Sequence, residues 1–197
     1  MNERKPFIVE FTGSPEAGKT TVINTLYNQL LKMGYNVKKY PESAENCPKT
    51  FPKECLEAKL WINFDTAKHI IEAPFLHEYD IIFFDRGAFD IIFWLYLDSI
   101  YYPEIVSKSS PFEKTLKDYP PDFLIALFVS EEESIRRRGG EGRIVTKEFV
   151  ATYNRLFKTF INCLEINKIV VSTNNKQIEE VVETVKKSIL ENLESHS

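Results

Sequence analysis

A glycine-bounded segment that ends in lysine and threonine is the part of this sequence best suited to chemistry. It reads Gly13-Ser14-Pro15-Glu16-Ala17-Gly18-Lys19-Thr20 and matches the pattern G-x-x-x-x-G-K-[ST]. In such a loop successive backbone N–H groups point inward, the lysine reaches phosphate oxygens, and the threonine hydroxyl can bind magnesium. We therefore expect residues 13–20 to hold the phosphates of a nucleoside triphosphate. A carboxylate at Glu16 would repel those phosphates unless it points to solvent.

Two acidic positions further along the chain are candidates for metal binding and proton transfer. Asp85 ends an apolar run and could help hold magnesium, while Arg86 could bind an acceptor phosphate or stabilise the charge that develops during transfer. A salt bridge or helix cap at the strand end is the alternative for this pair. Glu42 could accept a proton from an attacking hydroxyl, but a solvated loop acid fits equally well, and Glu45 competes for the role.

An arginine- and glycine-rich segment predicts a mobile lid over about residues 136–146. It contains Arg136-Arg137-Arg138-Gly139-Gly140-Glu141-Gly142-Arg143. Arginine suits bidentate phosphate contacts, and glycine allows a flap to close, so the lid would bring positive charge to the transferring phosphoryl group. A solvated basic helix end is the alternative.

The candidate residues fall into three sets. The candidate catalytic residues are Lys19, Glu42, Asp85, Arg86, Arg138 and Arg143, and the candidate magnesium ligands are Thr20 and Asp85. The nucleotide contacts are expected at Gly13, Ser14, Pro15, Glu16, Ala17, Gly18, Lys19, Thr20, Thr21 and Arg137. We expect Asp90 to be a partly solvated helical acid. The surrounding aromatic residues are expected in the core rather than in a ring-binding pocket: Phe89, Phe93, Trp94, Tyr96, Tyr101 and Tyr102.

Strands that alternate with helices must position these residues. Apolar runs predict strands at 7–12, 35–40, 80–85, 122–129 and 168–172. Helical periodicity predicts helices at 19–33, 55–77, 88–97, 131–138, 146–166 and 177–193, with a short one near 112–117 in an irregular stretch that could be a substrate flap. This order predicts one α/β domain over residues 1–197, with the three-layer α/β/α fold of a P-loop NTPase and a five-stranded parallel sheet.

Composition limits the partners and the compartment. The chain has 197 residues and a net charge of −4, which argues against broad electrostatic capture of nucleic acid. Its three cysteines show no metal-ligand spacing, and no secretion signal or membrane span is visible, so we expect a cytoplasmic protein. Oligomeric state is not legible, and a homodimer stays open.

The combination of motifs resembles the thymidylate kinase and deoxynucleoside kinase group. The resemblance is carried by Phe11 to Thr21, Leu26, Leu30, Gly34, Val37, Pro41-Glu42, Asp85-Arg86-Gly87, and Arg137-Arg138 to Arg143. It implies that Lys19 and Thr20 bind ATP phosphates and magnesium, and that Glu42 and the Asp85-Arg86 pair serve the acceptor site. It also implies lid arginines at Arg137, Arg138 and Arg143. Gly87 stands where that group usually has Tyr or Ser. Asp85-Arg86-Gly87, with Asp90 and the aromatic-rich helix, is also similar to small P-loop proteins described as predicted ATPases.

These observations predict a phosphotransferase that uses magnesium and ATP (or GTP). Its acceptor would be a nucleoside, a nucleotide or a similar small molecule. A nucleotide-operated switch or slow NTPase that regulates a partner is the main alternative. Transfer to a nucleic-acid end or a protein side chain is a third, to which the acidic charge gives little support.

Overall fold

Five parallel strands form one sheet in the computed structural model, which describes residues 4–52, 55–99, 113–114, 116–138 and 146–196. The strands are β1 (Phe7–Gly13), β2 (Val37–Tyr40), β3 (Ile81–Asp85), β4 (Phe123–Phe128) and β5 (Lys168–Ser172). Their order across the sheet is β2-β3-β1-β4-β5, and every neighbouring pair is parallel. Because all five strands run the same way, the carboxyl ends of the neighbouring strands β1 and β3 lie at the same edge of the sheet. Ligands of open α/β sheets bind at that edge.

Six helices accompany the sheet in the described part of the chain. They are α1 (Lys19–Lys32), α2 (Leu56–Glu72), α3 (Ala88–Ser99), α4 (Glu131–Arg138), α5 (Lys147–Cys163) and α6 (Ile178–His196). Two 3-10 turns occupy Ser43–Glu45 and Ala73–Phe75, and residues 113–114 and 116–117 are also helical. None of the helices described has the length and apolar character needed to cross a bilayer.

Helices cover both faces of the sheet because successive strand residues point to opposite sides. Phe7, Val9 and Phe11 of β1 pack in a core with α1 and α6. The intervening Ile8 packs against the opposite cluster, to which α2 and α3 contribute, and α5 packs on β4 beside it. This arrangement is compatible with the expected three-layer α/β/α fold.

The predicted elements differ from the observed ones mainly at their ends. The second strand is shorter than predicted and begins at Val37. The helix predicted for 55–77 ends at Glu72, and Pro74 lies in the 3-10 turn that follows, since proline cannot continue the helical hydrogen bonds. The irregular stretch predicted as a flap spans residues 101–121, of which 101–112 and 115 lie outside the described residues.

Candidate functional site

The loop between β1 and α1 is held by glycine geometry and by the backbone of β4. Gly13 has a φ of 128°, and a Cβ there would lie 1.9 Å from the carbonyl oxygen of Leu127. The Ser14 N–H donates to that same oxygen at 2.9 Å. Gly18 also has a positive φ, 84°, immediately before the helix begins. No larger residue fits at Gly13 without moving the strand, so the glycine there is a steric requirement.

Lys19 is turned inward over this loop. Its ammonium donates to the carbonyl oxygens of Gly13 at 3.2 Å and Ser14 at 3.0 Å, and the residue is only 6% exposed. Burial, followed by the positive charge of Arg86, lowers the pKa of Lys19 from 10.5 to about 8. An anion bound in the loop would stabilise the charged form.

Thr20 and Asp85 bring two hard oxygen ligands together at the ends of neighbouring elements. The Thr20 hydroxyl donates to Asp85 Oδ2 at 2.5 Å. The other oxygen, Asp85 Oδ1, is buried and has no hydrogen-bond partner in the described part of the chain. Burial raises the pKa of this carboxyl. A cation beside Oδ1 would satisfy that oxygen, so both residues fit a magnesium site.

The protein offers few further metal ligands here. Within the described ranges, no group of three or more His, Cys, Asp or Glu side chains could hold an ion by itself. Magnesium in phosphate sites is usually bound by one or two protein oxygens, with phosphate oxygens and water completing the shell. The Thr20–Asp85 pair therefore fits an ion that arrives with a nucleotide.

Arg86 is clamped between two carboxylates. Its Nη1 donates to both oxygens of Asp90 at 3.1 and 3.0 Å, and its Nε lies 2.9 Å from Glu42 Oε1 without the alignment of a hydrogen bond. Burial alone would lower the pKa of Arg86, but Asp90 and Glu42 outweigh it and raise the pKa well above its usual value. Arg86 also has a φ of 69°, a strained conformation for a side chain of this size.

The prediction of a partly solvated Asp90 was wrong. Asp90 is 2% exposed, because Arg86 pairs with it and the Thr12 hydroxyl donates to its Oδ1 at 2.6 Å. Glu42 contacts Arg86 at the edge of the sheet, whereas Glu45 is exposed in the neighbouring 3-10 turn. The expected pair of Glu42 and Arg86 is therefore brought together, with Asp90 as an unexpected third member.

Helix α4 lies against the loop through one face. The Ser134 hydroxyl donates to the Pro15 carbonyl at 3.2 Å, and Arg137 donates to the Glu16 carbonyl at 3.1 Å. Arg138 pairs with the partly exposed Glu16 carboxylate at 3.3 Å. The expected lid arginines Arg137 and Arg138 thus reach the loop, and Glu16 faces one of them.

Of the other two lid arginines, Arg136 and Arg143, only Arg136 lies within the described residues. Arg136 is 74% exposed at its side chain and pairs with Glu133 of its own helix. The glycine segment 139–142 and Arg143 lie outside the described residues, as do Tyr101 and Tyr102 of the aromatic set.

Sequence reasoning missed two buried residues of α5 that support the loop. The Tyr153 hydroxyl donates to the Gly13 carbonyl at 3.2 Å. Asn154 accepts from the Ser14 hydroxyl at 2.5 Å and donates to the Val129 carbonyl at 2.9 Å. The sequence did show a polar residue, Asn154, among the apolar residues that α5 buries. That pattern could not show which residues Asn154 contacts.

Sequence reasoning also missed Glu10 in the middle of β1. It is 1% exposed, and its two oxygens accept from the N–H groups of Phe89 at 3.2 Å and Asp90 at 2.9 Å. Burial raises the pKa of Glu10 to about 8. A charged residue inside a buried strand was visible in the sequence as an anomaly.

Two adjoining cavities meet at Glu42, Arg86 and Trp94. The first, of about 1010 Å³ with its open mouth, covers the loop and is also lined by Lys19 and Thr20. The second, of about 600 Å³ with its open mouth, lies between α2 and α3, and its further lining is Ser43, Ala44, Lys59, Ile62, Asn63, Thr66, Asp90, Ile91 and Asp98. Phe93 is buried as expected, but Trp94 lines both cavities.

A third cavity flanks the loop on the side of Arg137. It has about 670 Å³ with its open mouth and is lined by Glu16, Ala17, Gly18, Thr21, Val22, Arg137, Thr173, Lys176, Ile178 and Val181. Arg137 donates to the Thr173 hydroxyl at 3.1 Å and to the Thr173 carbonyl at 2.8 Å, and its Nε donates to Glu133 at 2.9 Å. The guanidinium edge is therefore fixed.

No family model matches this sequence, and no curated protein matches it closely enough to count as a relative.

Proposed function

We propose that this protein is a magnesium-dependent phosphotransferase. It moves the γ-phosphoryl group of ATP or GTP to a nucleoside, a nucleotide or a similar small acceptor. The observation that carries the proposal is the junction of two cavities at Glu42 and Arg86, one over the phosphate-type loop and one between α2 and α3. A donor in the first cavity and an acceptor in the second would meet at that junction.

The donor site is supported by the loop and its flanking cavities. The triphosphate lies along residues 13–20, with Lys19 and the N-terminus of α1 near its phosphates. The nucleobase enters the cavity beside Arg137, whose fixed guanidinium offers a flat cationic face. Thr20 and Asp85 would hold magnesium, which would supply positive charge beside the phosphates during transfer.

The acceptor site is supported by its shape and by its charges. Ile62, Ile91 and Trp94 supply apolar and aromatic wall for a small ring, while Asn63 supplies an amide. The charged groups described there are largely paired, Arg86 with Glu42 and Asp90, and Lys59 with Asp98. A pocket with three carboxylates and two cations favours an uncharged hydroxyl acceptor over a phosphate-bearing one.

Transfer then depends on position and charge. The acceptor oxygen forms a bond to the γ-phosphorus while the bond from that phosphorus to the β,γ-bridging oxygen breaks and releases the nucleoside diphosphate. Glu42 accepts the hydroxyl proton, and Arg86 keeps Glu42 oriented. Lys19 and Arg138 stabilise the charge on the phosphoryl oxygens and on the leaving diphosphate.

A nucleotide-operated switch or slow NTPase is the second candidate. Two observations favour it: Arg86 is already neutralised by two carboxylates, and Arg138 is paired with Glu16 of the loop. Both pairs withhold positive charge from a transferring phosphoryl group. In that function water, rather than a small acceptor, would take the phosphate.

A transfer assay separates the two functions. The protein is incubated with magnesium and γ-labelled ATP or GTP, and each of the common nucleosides is compared with its 5′-monophosphate. The phosphotransferase predicts labelled product with one acceptor class, at least tenfold faster than phosphate release to water. Glu42→Gln should lower that transfer, whereas Glu57→Gln on α2 serves as a matched surface control. Equal, slow phosphate release with every acceptor would establish the NTPase instead.

A further inference from the structure

Glu10 occupies a position that hydrophobic packing alone would give to an apolar residue. It lies in the central strand, between the buried residues Val9 and Phe11, and is itself 1% exposed. Burying a carboxylate is costly unless hydrogen bonds compensate. Burial raises its pKa to about 8, and the nearby Asp90 carboxylate contributes in the same direction. Burial of the Glu10 carboxyl therefore costs free energy, and hydrophobic packing does not explain why this residue is there.

The side-chain hydrogen bonds of Glu10 that the described residues show go to the start of α3. One carboxyl oxygen accepts from the N–H of Asp90 at 2.9 Å, and the other accepts from the N–H of Phe89 at 3.2 Å. These are first-turn N–H groups, which have no partner within their own helix. Glu10 thus acts on the helix as a capping side chain would, but from the sheet below it.

The helix start that Glu10 holds carries Asp90, and Asp90 holds Arg86. Asp90 accepts from Thr12 at 2.6 Å on one side and from Arg86 Nη1 on the other. Glu10 and Thr12 point to the same face of β1, two residues apart. These two residues of β1 therefore hold Asp90 together: Glu10 binds its backbone N–H, and Thr12 binds its carboxylate. Through Asp90 they also hold the Arg86 guanidinium beside Glu42.

Gly87, the residue before α3, lies beside the same carboxyl group. A Cβ at this position would lie 2.8 Å from Glu10 Cδ and from Oε2, closer than side-chain atoms normally approach. The Glu10 carboxyl thus fills the space that a side chain at 87 would need. The glycine after Arg86 and the glutamate in β1 form one steric unit.

We propose that Glu10 is a positioning residue for the acceptor side of the site: by binding the first turn of α3 it fixes Asp90, and thereby the Arg86–Glu42 pair that orients the acceptor hydroxyl. The catalytic consequence rests on the proposed phosphotransferase function. The structural consequence, that Arg86 is held through Asp90 by Glu10, does not.

The test uses Glu10→Gln in the full chain, with Glu183→Gln on α6 as an exposed matched control. Gln keeps the size of the side chain, but its amide nitrogen cannot accept an N–H bond, so one of the two contacts to α3 is lost. In ¹⁵N NMR spectra, exchange of the Arg86 side-chain protons with water should accelerate at least about tenfold, which corresponds to about 1.4 kcal/mol of lost protection. The Phe89 and Asp90 amide signals should shift, and the control should leave all of these signals unchanged.

Activity gives the second readout. With the nucleoside that labels best in the transfer assay, Glu10→Gln should lower kcat about 10- to 100-fold, while KM for ATP changes less than about threefold because the loop is untouched. Gly87→Ala, which pushes on the same carboxyl from the residue before α3, should have the same effects and provides a second variant if Glu10→Gln folds poorly.

Unchanged Arg86 exchange in both variants would overturn the proposal. So would unchanged kcat in an active enzyme. If the wild-type protein transfers phosphate to none of the nucleosides or nucleotides, the proposed function fails, but the Arg86 exchange measurement still decides whether Glu10 holds the pair.

Discussion

Replacing Glu10 by Gln should change how the stability of this protein depends on pH. In the folded chain burial raises the pKa of Glu10 from 4.5 to about 8. Between those values the unfolded chain has released this proton while the folded chain retains it. The free energy of unfolding of the wild type therefore falls as pH rises through this window, and the loss is complete above the folded pKa. Gln does not titrate, so the variant lacks this contribution.

The size of the effect follows from the same two values. A pKa raised from 4.5 to about 8 corresponds to at most about 5 kcal/mol at 1.36 kcal/mol per pKa unit. Urea unfolding of both proteins from pH 5 to pH 9 measures it as the difference between their free energies of unfolding. Other titrating groups, such as His69, contribute to both proteins and cancel. The variant should gain stability relative to the wild type steadily from pH 5 to about pH 8, and then no further.

A difference that stays constant within about 0.5 kcal/mol over this pH range would refute the reasoning. It would mean that Glu10 ionises in the folded chain as easily as in the unfolded one. A difference that falls with pH would show that the native state stabilises the carboxylate, with the N–H groups of Phe89 and Asp90 outweighing burial. The Glu183→Gln variant, at an exposed position, is the control for the substitution itself.

Three further predictions test the loop and the metal site. Because the pKa of Lys19 is lowered to about 8, ATP binding at pH 8.5 should take up part of a proton. Calorimetry in two buffers of different ionisation enthalpy measures this uptake. No uptake, or the same uptake in Lys19→Arg, would contradict the prediction. Gly13→Ala should lower the free energy of unfolding by more than about 3 kcal/mol, because its Cβ would meet the backbone of β4. Gly34→Ala, also at positive φ but in open space, should lower it by about 1 kcal/mol. Equal losses in urea unfolding would count against the loop geometry. Asp85→Asn should raise the magnesium concentration for half-maximal ATP binding at least about tenfold without affecting metal-free binding, and an unchanged magnesium requirement would remove Asp85 from the metal site.

Features encoded by neighbouring residues were predicted well from the sequence. The five strands appear as short apolar runs, and the loop of residues 13–20 lies between a strand and a helix, where its spacing placed it. Glu42 and Arg86 were both expected at the acceptor site, where they lie together, although their ion pair was not predicted. Local pattern and sheet topology were sufficient for these features.

Features that depend on distant partners could not be predicted in this way. Asp90 is buried because Thr12, 78 residues earlier in the chain, donates to it, and no local pattern reports that contact. Tyr153 and Glu10 were missed for the same reason, since each contacts a backbone segment far away in sequence. Glu10 did leave a signal, a charge inside an apolar strand, but the sequence does not show whether such a charge faces water, a metal or a helix end.

The central claim, that residues 13–20 bind the phosphates of a nucleoside triphosphate, is tested most directly by calorimetric titration of MgATP and MgGTP. Wild-type protein is compared with Lys19→Ala, with Lys187→Ala on the exposed side of α6 as the control. We expect saturable binding of at least one nucleotide to the wild type and the control. We also expect loss of most affinity in Lys19→Ala, with all three proteins folded by circular dichroism. Equal affinity in Lys19→Ala and the wild type, or no binding to the wild type at millimolar nucleotide, would contradict it.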